Sequence, residues 1–464
     1  MRVAVVGLGY VGLVTAAGLA EWGHEILGIE ASPARLGHLK SGQVPFFEPE
    51  LDALVAEHTE TRRLVFDADA RHVSSAQVAI VAVGTHDGNG GWQTDTIRAC
   101  LEDLVPRLAD DAVLVIRSTL PPEFLPGLGA LVAGLRSAAG RQPVPVIINP
   151  EFTREGAAVH DFLEPDRVVI GVVRDATGSG VHAMRSLYRT VTAPVLVVPA
   201  ADAALAKLGS NLFLATKISF ANELATLCDV FGADVASVVE AMSHDPRIGG
   251  SFLRAGVGFG GSCLPHQVTM TIRSAAQRSV EVPLLEAVDR VNHGQRTAFV
   301  NRLADELGGL AGRRIALLGL TFKPSTDDLR DAPALTIARA LLEAGATVAA
   351  FDPMPTARAA VARMLPGIEV VDDVEHALDG ADAVGLVTEW QAFRELDWVR
   401  VRALVRGDVV IDGRNTLDPD AVAAAGFRYL GFGRRASASR PEQMARPAPT
   451  GLGRVAWPAA AALD

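Results

Sequence analysis

The chain has 464 residues, 49% of them hydrophobic and 5% aromatic, with a formal net charge of −11. That length predicts two or three domains, and the acidic balance argues against nucleic acid or an anionic membrane as the main partner. Three irregularly spaced cysteines, a start (MRVAVVGLGYVGL) without signal-peptide features and no apolar run near bilayer length predict a cytoplasmic protein with free thiols.

Residues 2–6 (RVAVV) read as a buried strand, followed by an apolar helix over 11–22. A second strand, HEILGIE, ends at Glu30. Short apolar runs at 78–85, 112–119, 144–152, 167–172 and 193–200 alternate with helical patterns, as in a doubly wound parallel sheet. From about 201 to 300 the texture is helical, with one long helix within 202–232. Strand-like runs return at 313–322, 346–353, 381–390 and 408–415. The expected fold class is α/β: two Rossmann-like, doubly wound parallel-sheet domains joined by a central helical segment with a long helix. The boundaries fall at 1–200, 201–305 and 306–433. A tail rich in Ser, Pro, Ala and Arg, 434–464, is expected to be disordered.

Gly7-x-Gly9-x-x-Gly12 lies between the first strand and its helix. In such a turn the first glycine permits the bend and the second admits a pyrophosphate. The third lets the helix pack close, with its N-terminal amides facing the phosphates. Glu30 ends the second strand, where an acid bonds a ribose 2′-hydroxyl and repels a 2′-phosphate, so NAD is expected rather than NADP. Arg35 nearby weakens that exclusion slightly. The bland alternative is a tight turn with no ligand. A metal is not expected.

Four segments could converge in a cleft between the two α/β parts. RSTLPP offers Thr119, NPEFTREG offers Glu151 and Glu155, and KLGSN places Lys207 and Asn211 on one helix face. GFGGSC offers Cys263. Each also has a plain structural reading: a cap, solvated charges, a polar helix face, a small buried hydrophobe.

With these segments assembled, the chain resembles the UDP-glucose/GDP-mannose dehydrogenases, and most closely their UDP-glucose 6-dehydrogenase members. GLGYVGL, FFEPEL, VGT, STLP, NPEFTREG, KLGSN, DPRIG, GFGGSC, GLTFKPSTDDLRDAP and DGRN occur in family order from residue 1 to about 432. The resemblance implies oxidation of a nucleotide-sugar C6 alcohol to a carboxylate with two NAD, through a Cys263 thiohemiacetal and thioester. It implies Glu151 as general base through a water held by Thr119, with Lys207 and Asn211 stabilising oxyanionic species. Tyr10, Val11, Gly84, Thr85, Thr119, Glu155 and Arg330 would contact the cofactor together with the glycine turn, Glu30 and Arg35. Phe152, Thr153, Arg154, Phe252, Gly258, Phe259, Gly260, Lys323 and Arg414 would line the substrate site with Glu151, Lys207 and Asn211. Arg247 would reach a neighbouring subunit's site, and the long helix implies a homodimer.

The resemblance departs at two places. His266-Gln267 stands where the family carries Lys-Asp, and glutamine cannot accept a proton at neutral pH. His86 stands where a proline is usual. Three readings stay open on the sequence: an active dehydrogenase of UDP-glucose, a divergent member acting on another nucleotide sugar or stopping at the aldehyde, and a non-catalytic protein that binds NAD and a nucleotide sugar.

Overall fold

The computed structural model describes residues 1–86 and 91–434; the tail expected to be disordered lies, apart from Arg434, outside the described residues. The first sheet contains β1 (Arg2–Val6), β2 (Glu25–Ile29), β3 (Leu64–Asp67), β4 (Val78–Val81), β5 (Val113–Ile116), β6 (Val146–Ile148), β7 (Val168–Arg174) and β8 (Val195–Pro199). Their order is β3-β2-β1-β4-β5-β6-β7-β8. All neighbours pair in parallel except β6 and β7, which are antiparallel. The sequence reading did not anticipate that reversal. The inner strands, such as Val78–Val81 and Val113–Ile116, are buried at every residue, as strands covered on both faces must be.

The second sheet contains β9 (Arg314–Leu318), β10 (Thr347–Phe351), β11 (Glu369–Val370), β12 (Ala383–Leu386), β13 (Val409–Asp412) and β14 (Arg428–Leu430). It is fully parallel, ordered β11-β10-β9-β12-β13-β14. Chain order reverses between β1 and β4 in one sheet and between β9 and β12 in the other. These are the switch points where open α/β sheets bind ligands.

The two switch points share a turn. Gly7 N donates to Ile29 O at 2.9 Å, and Gly319 N to Phe351 O at 2.8 Å. Both glycines have left-handed φ, +87° and +93°. Leu8 N then donates to Glu30 at 2.9 Å, and Leu320 N to Asp352 at 2.7 Å.

A 32-residue helix, Ala200–Phe231, joins the lobes; at 1.5 Å per residue it spans roughly 48 Å. The helix packs on β7. It ends at Gly232, whose φ of +68° supplies the left-handed cap that a side chain would resist. Two further helices, Leu264–Ala276 and Pro283–Leu307, pack along it.

Candidate active site

The glycine turn is shaped to admit a dinucleotide. A Cβ on Gly12 would sit 1.8 Å from Gly7 O, so helix and turn are in direct backbone contact there. A Cβ on Gly9 would meet nothing within 4 Å, which leaves open space at the helix N-terminus where a pyrophosphate belongs. Glu30 is buried, accepts from Leu8 N and Ser32 N, and pairs with Arg35 at 3.2 Å. These residues fit NAD.

Tyr10 and Glu48 fix the far wall. Glu48, buried, accepts from the Tyr10 hydroxyl and from Gly156 N and Ala158 N at 2.6 Å each. That ties the NPEFTREG loop to the first helix. Burial and the adjacent Glu48 push the Tyr10 hydroxyl far up, so it stays protonated. Thr85 donates to the carbonyl of Thr119 at 2.6 Å, joining the VGT and STLP loops. Gly84 adds no side chain at this rim, and Val11 is half-buried in the first turn of the helix.

Glu151 and Lys207 form a buried ion pair, 2.9 Å apart. The other Glu151 oxygen accepts from Thr153 N and Oγ1, both at 2.8 Å. Burial alone would raise the Glu151 carboxyl, but the Lys207 ammonium and the Thr153 bonds hold it below its ordinary value. The Phe152 ring has Arg167 over it at 3.8 Å and Lys207 at 5.5 Å. One turn beyond Lys207, Asn211 Nδ2 donates to Gln267 Oε1 at 3.0 Å.

Cys263 caps the helix Leu264–Ala276, with Pro265 in the first turn. Its side chain is accessible, yet protein surrounds it closely. Burial raises the thiol, Glu151 raises it further, and Lys207 opposes them. The loop before it is threaded tightly. A Cβ on Gly258 would lie 2.3 Å from Asn292 Oδ1, and one on Gly260 2.4 Å from Asp331 O. Phe259 N donates to that same Asn292 oxygen at 2.7 Å.

The second lobe supplies cations. Arg414 donates to Val387 O, Gly258 O and Phe322 O at 2.6, 2.8 and 3.0 Å, and pairs with Glu389. Lys323 is half-buried; burial lowers its pKa, against the charges of Glu155 and Glu48. Arg330 pairs with Asp328 and Glu155.

The structure thus brings together Glu151, Lys207, Asn211, Cys263, Glu155, Lys323 and Arg330 from segments far apart in the chain. It does not bring in all the expected residues: Arg154 is turned to Asp161 at 2.6 Å, and Phe252 is exposed with φ +63°. Arg247, expected at a neighbouring subunit's site, is exposed and paired with Asp245. His266 does not face the thiol. Its Nε2 meets Asp331 at 3.0 Å, and its ring stacks edge-on with His86 at 5.0 Å. Glu48, Ser262, Asn292 and Asp331 shape the site but were assigned no role from sequence. Glu48 lies in a motif the sequence offered, FFEPEL; its partners lie 38, 108 and 110 residues away, so spacing gave no signal.

Comparison with known proteins agrees with this geometry. Three family models match in order. The NAD binding domain of the UDP-glucose/GDP-mannose dehydrogenase family matches residues 1–192, its central domain 201–294 and its UDP binding domain 316–419. A UDP-glucose 6-dehydrogenase of Rhizobium meliloti is 37% identical over 94% of this chain and 100% of its own. One from Pseudomonas aeruginosa is 39% identical over 94% and 98%. Among solved structures, a UDP-glucose dehydrogenase from Pyrobaculum islandicum superposes with a TM-score of 0.84 at 36% identity, covering 94% of this chain and 98% of that one.

Proposed function

The chain belongs to the UDP-glucose/GDP-mannose dehydrogenase family, and from that premise we propose that it oxidises the C6 alcohol of UDP-glucose to the carboxylate of UDP-glucuronate. It is an NAD-dependent oxidoreductase acting on a nucleotide sugar. The observation that carries the substrate reading is an accessible Cys263 beside a buried Lys207–Glu151 pair, between a dinucleotide turn and a second lobe rich in cations.

NAD, when bound, accepts the hydride in each oxidation. The residues of the chain do the rest. Lys207 places a fixed positive charge where oxygen becomes anionic, and Asn211 adds an amide donor, held by Gln267. Cys263 adds to the aldehyde as a thiohemiacetal, and after the second oxidation holds the sugar as a thioester. Glu151, kept ionised by Lys207, accepts a proton from the water that releases the acid. Thr119 steadies that water. Lys323 and Arg414 hold the substrate on the second lobe, and Arg330 faces the cofactor side with Glu155. Residues 1–200 serve as cofactor domain, 201–305 as dimer domain and 306–433 as UDP-sugar domain, in a cytoplasmic homodimer. Among the described residues no helix is long and apolar enough to cross a membrane.

Gln267 gives specific ground for a second reading, arrest at the aldehyde, since its amide takes no proton. The test is NADH yield and product mass from purified protein, NAD and UDP-glucose. Two NADH with a sugar acid, both lost in Cys263→Ser, support the proposal. One NADH with an aldehyde replaces it by the second reading, and no NADH overturns both.

A further inference from the structure

A thiol held in its protonated form needs a proton acceptor to become a nucleophile at neutral pH. The acceptors around Cys263 are few. Glu151 serves the hydrolytic water in the proposed mechanism, with one oxygen on Lys207 and the other on Thr153. Asn211 and Gln267 are amides bonded to each other. His266 directs Nε2 to Asp331, and its Nδ1 is buried without a hydrogen-bond partner among the described residues. Ser262 is different. Its Oγ lies 3.8 Å from Cys263 Sγ and donates to Glu155 Oε1 at 3.2 Å. Glu155 is a nearly buried carboxyl at the junction of the lobes, with Arg330 on the same oxygen at 3.2 Å. Its second oxygen is buried and has no hydrogen-bond partner among the described residues.

We propose that Ser262 and Glu155 form a proton relay that takes the Cys263 proton as the sulfur adds to the sugar aldehyde. The inference rests on Cys263 being the nucleophile. As the S–C bond forms, the S–H pair becomes that bond and the carbonyl π pair moves to oxygen, whose charge Lys207 balances. The thiol proton passes to Ser262 Oγ, and the Ser262 proton passes to Glu155 Oε1. Ser262 touches the reacting sulfur; Glu155 acts through it as a positioning residue.

The groups facing Glu155 set when the relay works. Burial and the Asp328 charge push its carboxyl up to about 7, against Arg330 and Lys323. Tyr10 faces it from the first helix and Cys263 from its own helix cap. Below that pH the carboxyl is protonated and cannot accept, so assistance fades as pH falls through 7.

The test is the pH dependence of iodoacetamide alkylation at Cys263, read by mass on the full chain without substrate, in wild type, Ser262→Ala, Ser262→Thr and Glu155→Gln. The wild-type rate should inflect near neutral pH. Ser262→Ala should lose that inflection and react about tenfold more slowly at pH 8. Ser262→Thr, which keeps the hydroxyl, should restore it, and Glu155→Gln should match the alanine variant. A Ser262→Ala profile that superposes on wild type overturns the relay, even if Glu155→Gln disturbs Arg330. Two-NADH turnover in Cys263→Ser would overturn the nucleophile reading itself, which separates the two failures.

Discussion

At the scale of single residues, the buried Lys207–Glu151 pair is the feature with the sharpest consequence. Removing one member leaves the other charged and desolvated, which costs about 3–5 kcal/mol. Lys207→Ala should therefore lose stability by that order in urea titration as well as activity. Glu151 also gives a pH signature. Its carboxyl sits below the ordinary value of 4.5 in the fold. The stability it contributes is present above that value and lost as pH falls through the lower folded one. Glu151→Gln should flatten the acid limb of the stability curve below pH 4.5, which thermal melts across pH would show. Spacing made Lys207 and Asn211 legible as one helix face. It could not reveal that Lys207 meets Glu151 rather than solvent, because that contact joins a helix to a loop from a distant part of the chain. Nor could it show His266 turning to Asp331, since orientation within a helix turn depends on what the second lobe presents.

At the scale of elements, the two glycines of the first turn separate folding from binding. Gly12→Ala forces a Cβ against Gly7 O and should lower the melting temperature sharply. Gly9→Ala meets nothing in the protein, so it should fold with an unchanged melting temperature and lose the stabilisation that NAD confers. A thermal-shift series with and without NAD checks both. The alternation of strands and helices was legible because buried parallel strands are continuous apolar runs. Their ends were not. The run 78–85 gives a strand of only Val78–Val81, and 144–152 gives only Val146–Ile148. The remaining residues leave the sheet to build the VGT and NPEFTREG loops, and an apolar run does not distinguish a strand from the buried loop continuing it. At Gly258 and Gly260, before Cys263, the missing side chains admit neighbouring protein, Asn292 and Asp331.

For the whole molecule, the long helix is apolar on two sides. Ala203, Leu208, Ala215 and Ala225 are buried in this chain, while Phe213, Phe220, Leu227 and Phe231 are 65%, 48%, 52% and 78% exposed. Phe213, Phe220 and Leu227 recur every seven residues, a continuous exposed stripe of the kind that marks an interface. Phe213→Glu with Phe220→Glu should convert the proposed dimer to monomer in light scattering after size exclusion; an unchanged mass would place the interface elsewhere. The two-lobed α/β plan was readable from the return of strand-like runs after residue 313. The stripe was hidden in the sequence because apolar residues on two sides of one helix leave little periodic contrast.

The twin turns at Gly7 and Gly319 share a fold but differ in what borders them. Asp352 is wholly buried, and its Oδ2 is within bonding distance of Leu320 N, Thr321 N and Oγ1 and Trp390 Nε1. At the Gly7 turn, by contrast, Gly9 borders open space. On the proposed chemistry the Gly7 turn serves both oxidations, and the reaction consumes two dinucleotides. The spent carrier must then depart and a fresh one arrive while the half-finished sugar stays behind. Its mooring would be the second lobe and the sulfur of Cys263, neither of which belongs to the berth being emptied.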